Sequence, residues 1–252
     1  MKAPSLIRYD NRPRSDYALF VHAVRLTGRN LLEQMFVLGF LNIAAMLLLG
    51  AWAAFPPLLP LAGFAPPVLG GLWWCVAHVV RDEETNFRQA FEGAQDFFIS
   101  TWVLAVASGI IYYLILGINL PFYEQDVVPL PFVAPAWFVP ALRVFWVFVG
   151  VFWTAFWTYT LAWLVFEERN LWAALKGGAW LLVSHPVYTL LYMLLLALFF
   201  VLNSFVTALF LFITWAVLAL LSVHSVQLLR CGIPEALPPE ALDRVLEDRN
   251  PV

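Results

Sequence analysis

Charged residues are scarce in this sequence: Asp, Glu, Lys and Arg make up only 12% of its 252 residues, about half of their share in soluble domains. Hydrophobic residues make up 62%, and the mean hydropathy is +0.80. Several apolar runs approach or exceed the ~20 residues that cross the hydrocarbon core of a bilayer. The composition therefore excludes an ordinary soluble domain and predicts an all-α, polytopic membrane protein.

Residues suited to redox, metal or phosphate chemistry are also few. The two cysteines, Cys75 and Cys231, have no C-x-x-C partner and no histidine nearby at zinc-ligand spacing. The chain has no glycine-rich phosphate loop. No Asp or Glu stands at mid-depth in a predicted helix, where a proton relay would need one. We expect no cofactor and no metal, no nucleic-acid partner, and a protein that is not an enzyme.

One motif occurs twice. Residues Glu83–Gly93 read E-E-T-N-F-R-Q-A-F-E-G, and residues Glu167–Gly177 read E-E-R-N-L-W-A-A-L-K-G. Each copy follows one long apolar segment and precedes another. We call the two copies the first elbow and the second elbow. They indicate an internal duplication of a unit made of a helix, a polar bend, an amphipathic turn and a second helix.

Apolar runs and prolines predict about six transmembrane helices within a domain covering 31–230, because proline lacks an N–H group and ends a helix. The predicted crossings 1 to 6 cover about 32–54, 66–80, 98–118, 141–166, 186–202 and 205–229. The repeat then pairs crossings 2–3 with crossings 4–5. Residues 231–252 form a predicted cytoplasmic tail.

Residues 1–30 form a predicted N-terminal segment with an amphipathic helix. Ser15 or Asp16 can cap this helix, since a short oxygen-bearing side chain accepts hydrogen bonds from the first turn. Apolar residues then recur at three- and four-residue spacing, with arginines off that stripe. We expect the helix to lie in the membrane interface, as an anchor or as a docking helix for a partner. The stripe comprises Tyr17, Phe20, Val21 and Val24.

Basic residues set the orientation, because Lys and Arg in short loops stay cytoplasmic. Of the 14 Lys and Arg residues, only Arg143 falls on the outer side of six crossings that start inside. Both termini and both elbows are then cytoplasmic, in a bacterial inner membrane, and the repeat is parallel rather than inverted.

The elbows are the candidate binding sites. Either their paired acids are solvated beside basic neighbours, or the two elbows dock a partner. Their asparagines are expected to cap the helices that follow. The candidate docking residues are Glu83, Glu84, Asn86, Arg88, Glu167, Glu168, Asn170 and Lys176.

Crossing 4 carries a small-residue face and two aromatic stripes. Gly150, Thr154 and Thr158 repeat every four residues, a spacing that lets a second helix approach closely. The aromatic residues face lipid or fill the bundle, or they line a groove for a lipid, quinone or pigment.

The stretch around crossing 2 and the first elbow resembles the YesL-like family of bacterial membrane proteins of unknown function. The resemblance rests on a leucine–proline pair, a Gly/Pro/Ala-rich start of crossing 2, a run of small and aromatic residues, and the charged bend that follows. These are Leu59-Pro60, Gly63 to Pro67, Gly71-Leu72-Trp73-Trp74, and Phe87-Arg88 with Phe91, Gly93 and Phe97. The resemblance implies an accessory role in carbohydrate ABC import, and it implies no catalytic residues.

These observations predict a non-enzymatic accessory or assembly subunit of a larger membrane complex, in contact with lipid and with other membrane subunits. The alternative is an autonomous transporter of small molecules or lipids. Its path would run between the repeated hairpins and would be lined by residues such as Ser108, Thr154 and Thr158.

Overall fold

The computed structural model describes residues 8–10, 15–54, 63–81, 85–123, 135–166, 170–206, 213–231 and 233–235. Four of the candidate docking residues, Glu83, Glu84, Glu167 and Glu168, lie outside these ranges, as does most of the predicted tail.

The described chain is helical apart from one pair of short antiparallel strands, β1 (Arg8–Asp10) and β2 (Ile233–Glu235). The helices are α1 (Asp16–Glu33), α2 (Met35–Ala54), α3 (Ala65–Val80), α4 (Phe87–Asp96), α5 (Phe98–Tyr112), α6 (Leu120–Tyr123), α7 (Phe138–Phe166), α8 (Leu171–Ser184), α9 (Pro186–Phe205) and α10 (Thr214–Cys231). A π-helical stretch, Tyr113–Asn119, joins α5 to α6.

The predicted class is confirmed: the protein is all-helical, with several helices suited to a membrane. In the described ranges, three helical segments are long and apolar enough to cross a bilayer, namely Phe98–Phe122, Phe138–Phe166 and Pro186–Asn203. A fourth span results if α1 and the first part of α2, which meet at 91°, are taken together. At a rise of 1.5 Å per residue, the 16 residues of α3 extend about 24 Å, less than the ~30 Å hydrocarbon core.

Helix α1 packs against the bundle through one face, which includes Phe20 of the predicted stripe: its ring meets that of Tyr188 edge-on, with 5.5 Å between centroids. Ser15 caps it, accepting a hydrogen bond from the Ala18 N–H at 3.3 Å. Its buried residues are Ala23, Thr27 and Asn30, and α1 contacts α9 and α10. Tyr17, from the predicted membrane-facing stripe, is 63% exposed. Small side chains therefore form the buried face, since they let α1 approach its neighbours closely.

The core is centred on α3 and α10. Both helices contact α2 and α7, and they contact each other. Trp73 of α3 is fully buried and donates from Nε1 to Ser222 Oγ of α10 at 3.1 Å. Its ring packs edge-on against Trp157 of α7, with 5.6 Å between ring centroids, and Trp157 packs in the same way against Trp215. Large aromatic surfaces and a paired indole N–H thus stabilise the centre of the bundle.

Two helices begin with backbone N–H groups that bond side chains from other helices. The Asn42 side-chain oxygen of α2 accepts from the N–H groups of Trp215 and Ala216, at 2.7 and 3.2 Å, at the start of α10. Asp16 of α1 accepts from the Tyr188 N–H and from His185 Nδ1 at the start of α9. These contacts matter because an unpaired backbone group in an apolar environment costs several kcal/mol.

Glycines allow α4 and α5 to lie directly on α3. A Cβ added to Gly71 would stand 2.3 Å from the Ala90 carbonyl oxygen, and one added to Gly70 would stand 2.7 Å from Thr101 Cγ2. The atom that the added Cβ of Gly71 would meet belongs to the backbone of Ala90. A side-chain movement therefore cannot relieve this clash.

We expect Gly71→Ala to destabilise the protein by about 1–3 kcal/mol, because the added methyl group forces α3 and α4 apart. Gly109→Ala is the matched control, since a Cβ at Gly109 meets no atom within 4 Å. The control should leave stability unchanged or slightly raised, as alanine favours a helix over glycine. Thermal unfolding of the two detergent-solubilised variants would measure the difference, and equal midpoints would contradict this packing.

Candidate docking site at the two elbows

The first elbow is closed by a capping box. Asn86 Oδ1 accepts from the Gln89 N–H at 3.0 Å, and Gln89 Oε1 accepts from the Asn86 N–H at 3.1 Å. Each side chain satisfies a donor that the first turn of α4 leaves free. Thr85 donates to Gln34 Oε1 at 3.1 Å, which joins this elbow to the bend between α1 and α2.

In the second elbow, too, an asparagine side chain caps the helix that follows. Asn170 Oδ1 accepts from the Trp172 N–H at 2.9 Å, so both asparagines cap their helices as the sequence predicts. The Lys176 ammonium stands 5.2 Å from the centroid of the Trp172 ring, one turn earlier on α8.

The matched residues of the two elbows also pack alike. Ala90 and Ala174 are both buried. A Cβ at Gly93 would lie 2.4 Å from the Trp74 side chain, and one at Gly177 would lie 2.3 Å from the Trp163 ring. In each elbow, therefore, a tryptophan of the preceding helix rests on a glycine of the following helix. The structural likeness between the two copies is limited to the elbows and to these tryptophan–glycine contacts.

Arg81 connects the first elbow to the end of α7. Its Nη2 donates to the Phe166 carbonyl oxygen at 2.5 Å, and its guanidinium lies 5.0 Å from the centroid of the Phe166 ring. A cation is favoured at this position because the last carbonyls of a helix carry partial negative charge. A separate hydrogen bond joins α10 to the end of α3: the Gln227 side chain donates to the Val80 carbonyl oxygen.

The outer faces of the elbow helices carry aromatic rings beside charged side chains. Phe91 and Trp172 are each 64% exposed, and Phe87 is 44% exposed. Arg88 pairs with Glu92 across one turn of α4 at 3.0 Å. Aromatic residues and arginine are enriched at protein interfaces. This surface can therefore bind a partner through both apolar and ionic contacts.

The small-residue face of α7 contacts other helices of the same chain. A Cβ at Gly150 would meet only Ile115 Cδ1, at 3.9 Å. The hydroxyl group of Thr154 bonds the Tyr112 hydroxyl, and Thr158 bonds the Tyr192 hydroxyl at 2.8 Å. The two threonines thus lie at junctions with α5 and α9.

Sequence reasoning missed a cluster of buried tyrosines beside this face. Tyr159, Tyr188 and Tyr192 are fully buried, and Tyr188 donates to Ser225 Oγ of α10 at 2.8 Å. The rings of Tyr159 and Tyr192 lie 4.6 Å apart. The signal available in the sequence was the position of these tyrosines in apolar runs. The hydroxyl groups of Tyr188 and Tyr192 bond side chains of other helices, as is usual for buried tyrosines.

The described residues contain no group of three or more His, Cys, Asp or Glu side chains placed to hold a metal ion.

No family model, no curated protein and no solved structure matches this chain.

Replacing Arg81 tests the link between the end of α3 and the end of α7. We expect Arg81→Ala to destabilise the protein by about 2 kcal/mol, because it removes a charge-assisted hydrogen bond and a cation–π contact. Arg88→Ala is the control: its partner Glu92 and Arg88 itself are both largely exposed, so the cost should stay below about 0.5 kcal/mol. Unfolding in mixed detergent micelles compares the two, and equal losses would show that the Phe166 contacts contribute nothing.

Proposed function

We propose that this chain is an integral membrane accessory or assembly subunit of a larger membrane complex, and that its two elbows form the surface that binds the partner. The observation that supports this most is the hydrogen bond from Arg81 to the Phe166 carbonyl oxygen, because it holds together the ends of the two helices that the elbows follow. A surface fixed before binding loses little conformational entropy when a partner docks.

The exposed rings of Phe91 and Trp172 supply the apolar contacts of this proposed surface. The candidate residues Asn86 and Asn170 hold the helices that present these rings, and Arg88 and Lys176 supply charge. The four glutamates of the elbows belong to the same proposal. Because of the resemblance to the YesL-like family, a carbohydrate ABC importer is the first complex that we propose.

We also propose six crossings (α2, α3, α5 with α6, α7, α9 and α10), an internal parallel repeat, and an inner-membrane location with both termini in the cytoplasm. The pairing of β1 with β2 supports the last point, because it brings residues 8–10 and 233–235 together on one side. The likeness of the two elbows supports the repeat.

The autonomous transporter remains the second candidate. Its proposed path residues Ser108, Thr154 and Thr158 each bond a side chain of another helix: Trp153 Nε1 donates to Ser108 Oγ at 3.2 Å, and the threonines bond tyrosines. These pairs favour a role in helix packing, so the subunit proposal has the stronger support.

The experiment is purification of the tagged chain from native membranes in mild detergent, followed by native mass spectrometry. We expect a partner chain at fixed stoichiometry. Phe91→Ala combined with Trp172→Ala should reduce partner recovery by roughly 30-fold or more, because a truncated aromatic anchor costs about 2 kcal/mol.

Phe148→Ala serves as the matched control, since this aromatic ring of α7 is 52% exposed and lies outside both elbows. It should retain the partner. Recovery of the wild-type chain without a partner would refute the subunit role. An equal reduction of partner recovery in the double variant and in Phe148→Ala would show that the elbows do not form the interface.

A further inference from the structure

A cleft of about 470 Å³ lies beside the second elbow, between α7, α8 and the last turn of α10. Its lining comes from all three helices: Trp163, Ala173, Lys176, Gly177, Trp180 and Arg230. It thus contains two cations and two indole rings. We infer that this cleft binds the phosphate headgroup of an anionic phospholipid.

The two cations are positioned by aromatic rings. The Arg230 guanidinium carbon lies 5.1 Å from the centroid of the Trp163 ring, and Lys176 Nζ lies 5.2 Å from that of Trp172. A ring orients a cation beside it through its quadrupole. Basic pockets between membrane helices bind anionic lipid headgroups, and this cleft between three helices has that composition.

Glycine and tryptophan form the floor and wall of the cleft. The Trp163 ring can lie on α8 only because Gly177 has no side chain. The rings of Trp163 and Trp180 meet at 72°, with 6.4 Å between centroids. Tryptophan concentrates at the headgroup level of membranes because its ring is apolar while its N–H is polar. The cleft therefore has the composition of a site at that depth.

An exposed apolar stripe leads away from the cleft. Backbone hydrogen bonds from His185 N to Leu181 O and from Thr189 N to His185 O carry the chain from α8 into α9. On both sides of this junction, large apolar side chains recur at three- and four-residue steps within each helix, and each is at least half exposed: Trp180 and Val183 on α8, and Val187, Leu190, Leu194 and Leu198 on α9. This stripe can contact an acyl chain while the cleft holds the phosphate. A soluble anion would use the cleft and leave the stripe unused, so the geometry favours a phospholipid.

The first elbow provides an internal comparison. Trp74 rests on Gly93 there, but Glu92 and Asp96 occupy the positions that Lys176 and Trp180 occupy in the second elbow. Acidic residues repel an anionic headgroup. The inferred site therefore belongs to the second elbow only.

The test uses the full-length chain, purified in nonionic detergent, stripped of lipid and free of any partner, so its outcome does not depend on the proposed complex. Phosphatidylglycerol and phosphatidylcholine with the same acyl chains are titrated, and native mass spectrometry measures lipid occupancy. We expect phosphatidylglycerol to bind more tightly. The Lys176→Gln/Arg230→Gln double variant should weaken its binding by roughly 20-fold and leave phosphatidylcholine unaffected, since each cation near a headgroup contributes about a fivefold factor.

Lys176→Arg keeps the charge and should retain binding, whereas Lys176→Glu reproduces the first elbow and should abolish the preference. Arg29→Gln removes an exposed cation of α1 that lies outside the cleft, and it should leave the binding of both lipids unchanged. Thermal unfolding identifies variants that fail to fold. Equal affinity of the wild-type chain for both lipids, or wild-type affinity in the double variant, would overturn the inference. Displacement of the lipid by an equal concentration of glycerol phosphate would instead identify a site for soluble anions and overturn the lipid assignment.

Discussion

Every helix end inside an apolar bundle has backbone N–H or C=O groups that water cannot reach, and this constraint connects the features of the fold. Among the described residues, four helix ends bond a side chain from a part of the chain that is distant in sequence. Asp16 serves the start of α9 and Asn42 the start of α10, while Arg81 serves the end of α7 and Gln227 the end of α3. Each contact removes the cost of an unpaired polar group and also fixes two helices relative to each other.

Close packing depends on a second, steric condition. Gly71, Gly93 and Gly177 lie where a neighbouring backbone or indole ring occupies the space of a side chain. In lipid, helices associate through such close contacts because water does not drive their apolar faces together. Hydroxyl pairs such as Thr158–Tyr192 and Tyr188–Ser225 then add direction to the packing. Shape and hydrogen bonding therefore select one arrangement of helices that are uniformly apolar.

The two elbows share a cap, a buried alanine and a tryptophan–glycine contact, but they differ in charge. Lys176 and Trp180 of the second elbow replace Glu92 and Asp96 of the first. Common structure with different charge suits the two ligands that we propose: a protein partner at the elbows, and an anionic headgroup beside the second elbow. Arg81 connects these two regions, since it stands two residues before the first elbow and bonds the last residue of α7, four residues before the Asn170 cap.

The sequence determined the features that depend on local pattern. Long apolar runs predicted an all-helical chain with segments long enough to cross a membrane. Ser15, Asn86 and Asn170 marked helix starts, because a cap acts within its own first turn. The sequence did not determine which face of α1 is buried. Its Tyr17 stripe suggested lipid contact, while the small Ala23, Thr27 and Asn30 form the packed face. Nor did it indicate the partners of Asn42 and Arg81, or the meeting of Lys176 with Arg230 in one cleft. These arrangements join residues far apart in the chain, so they exist only once the tertiary structure has brought their helices together.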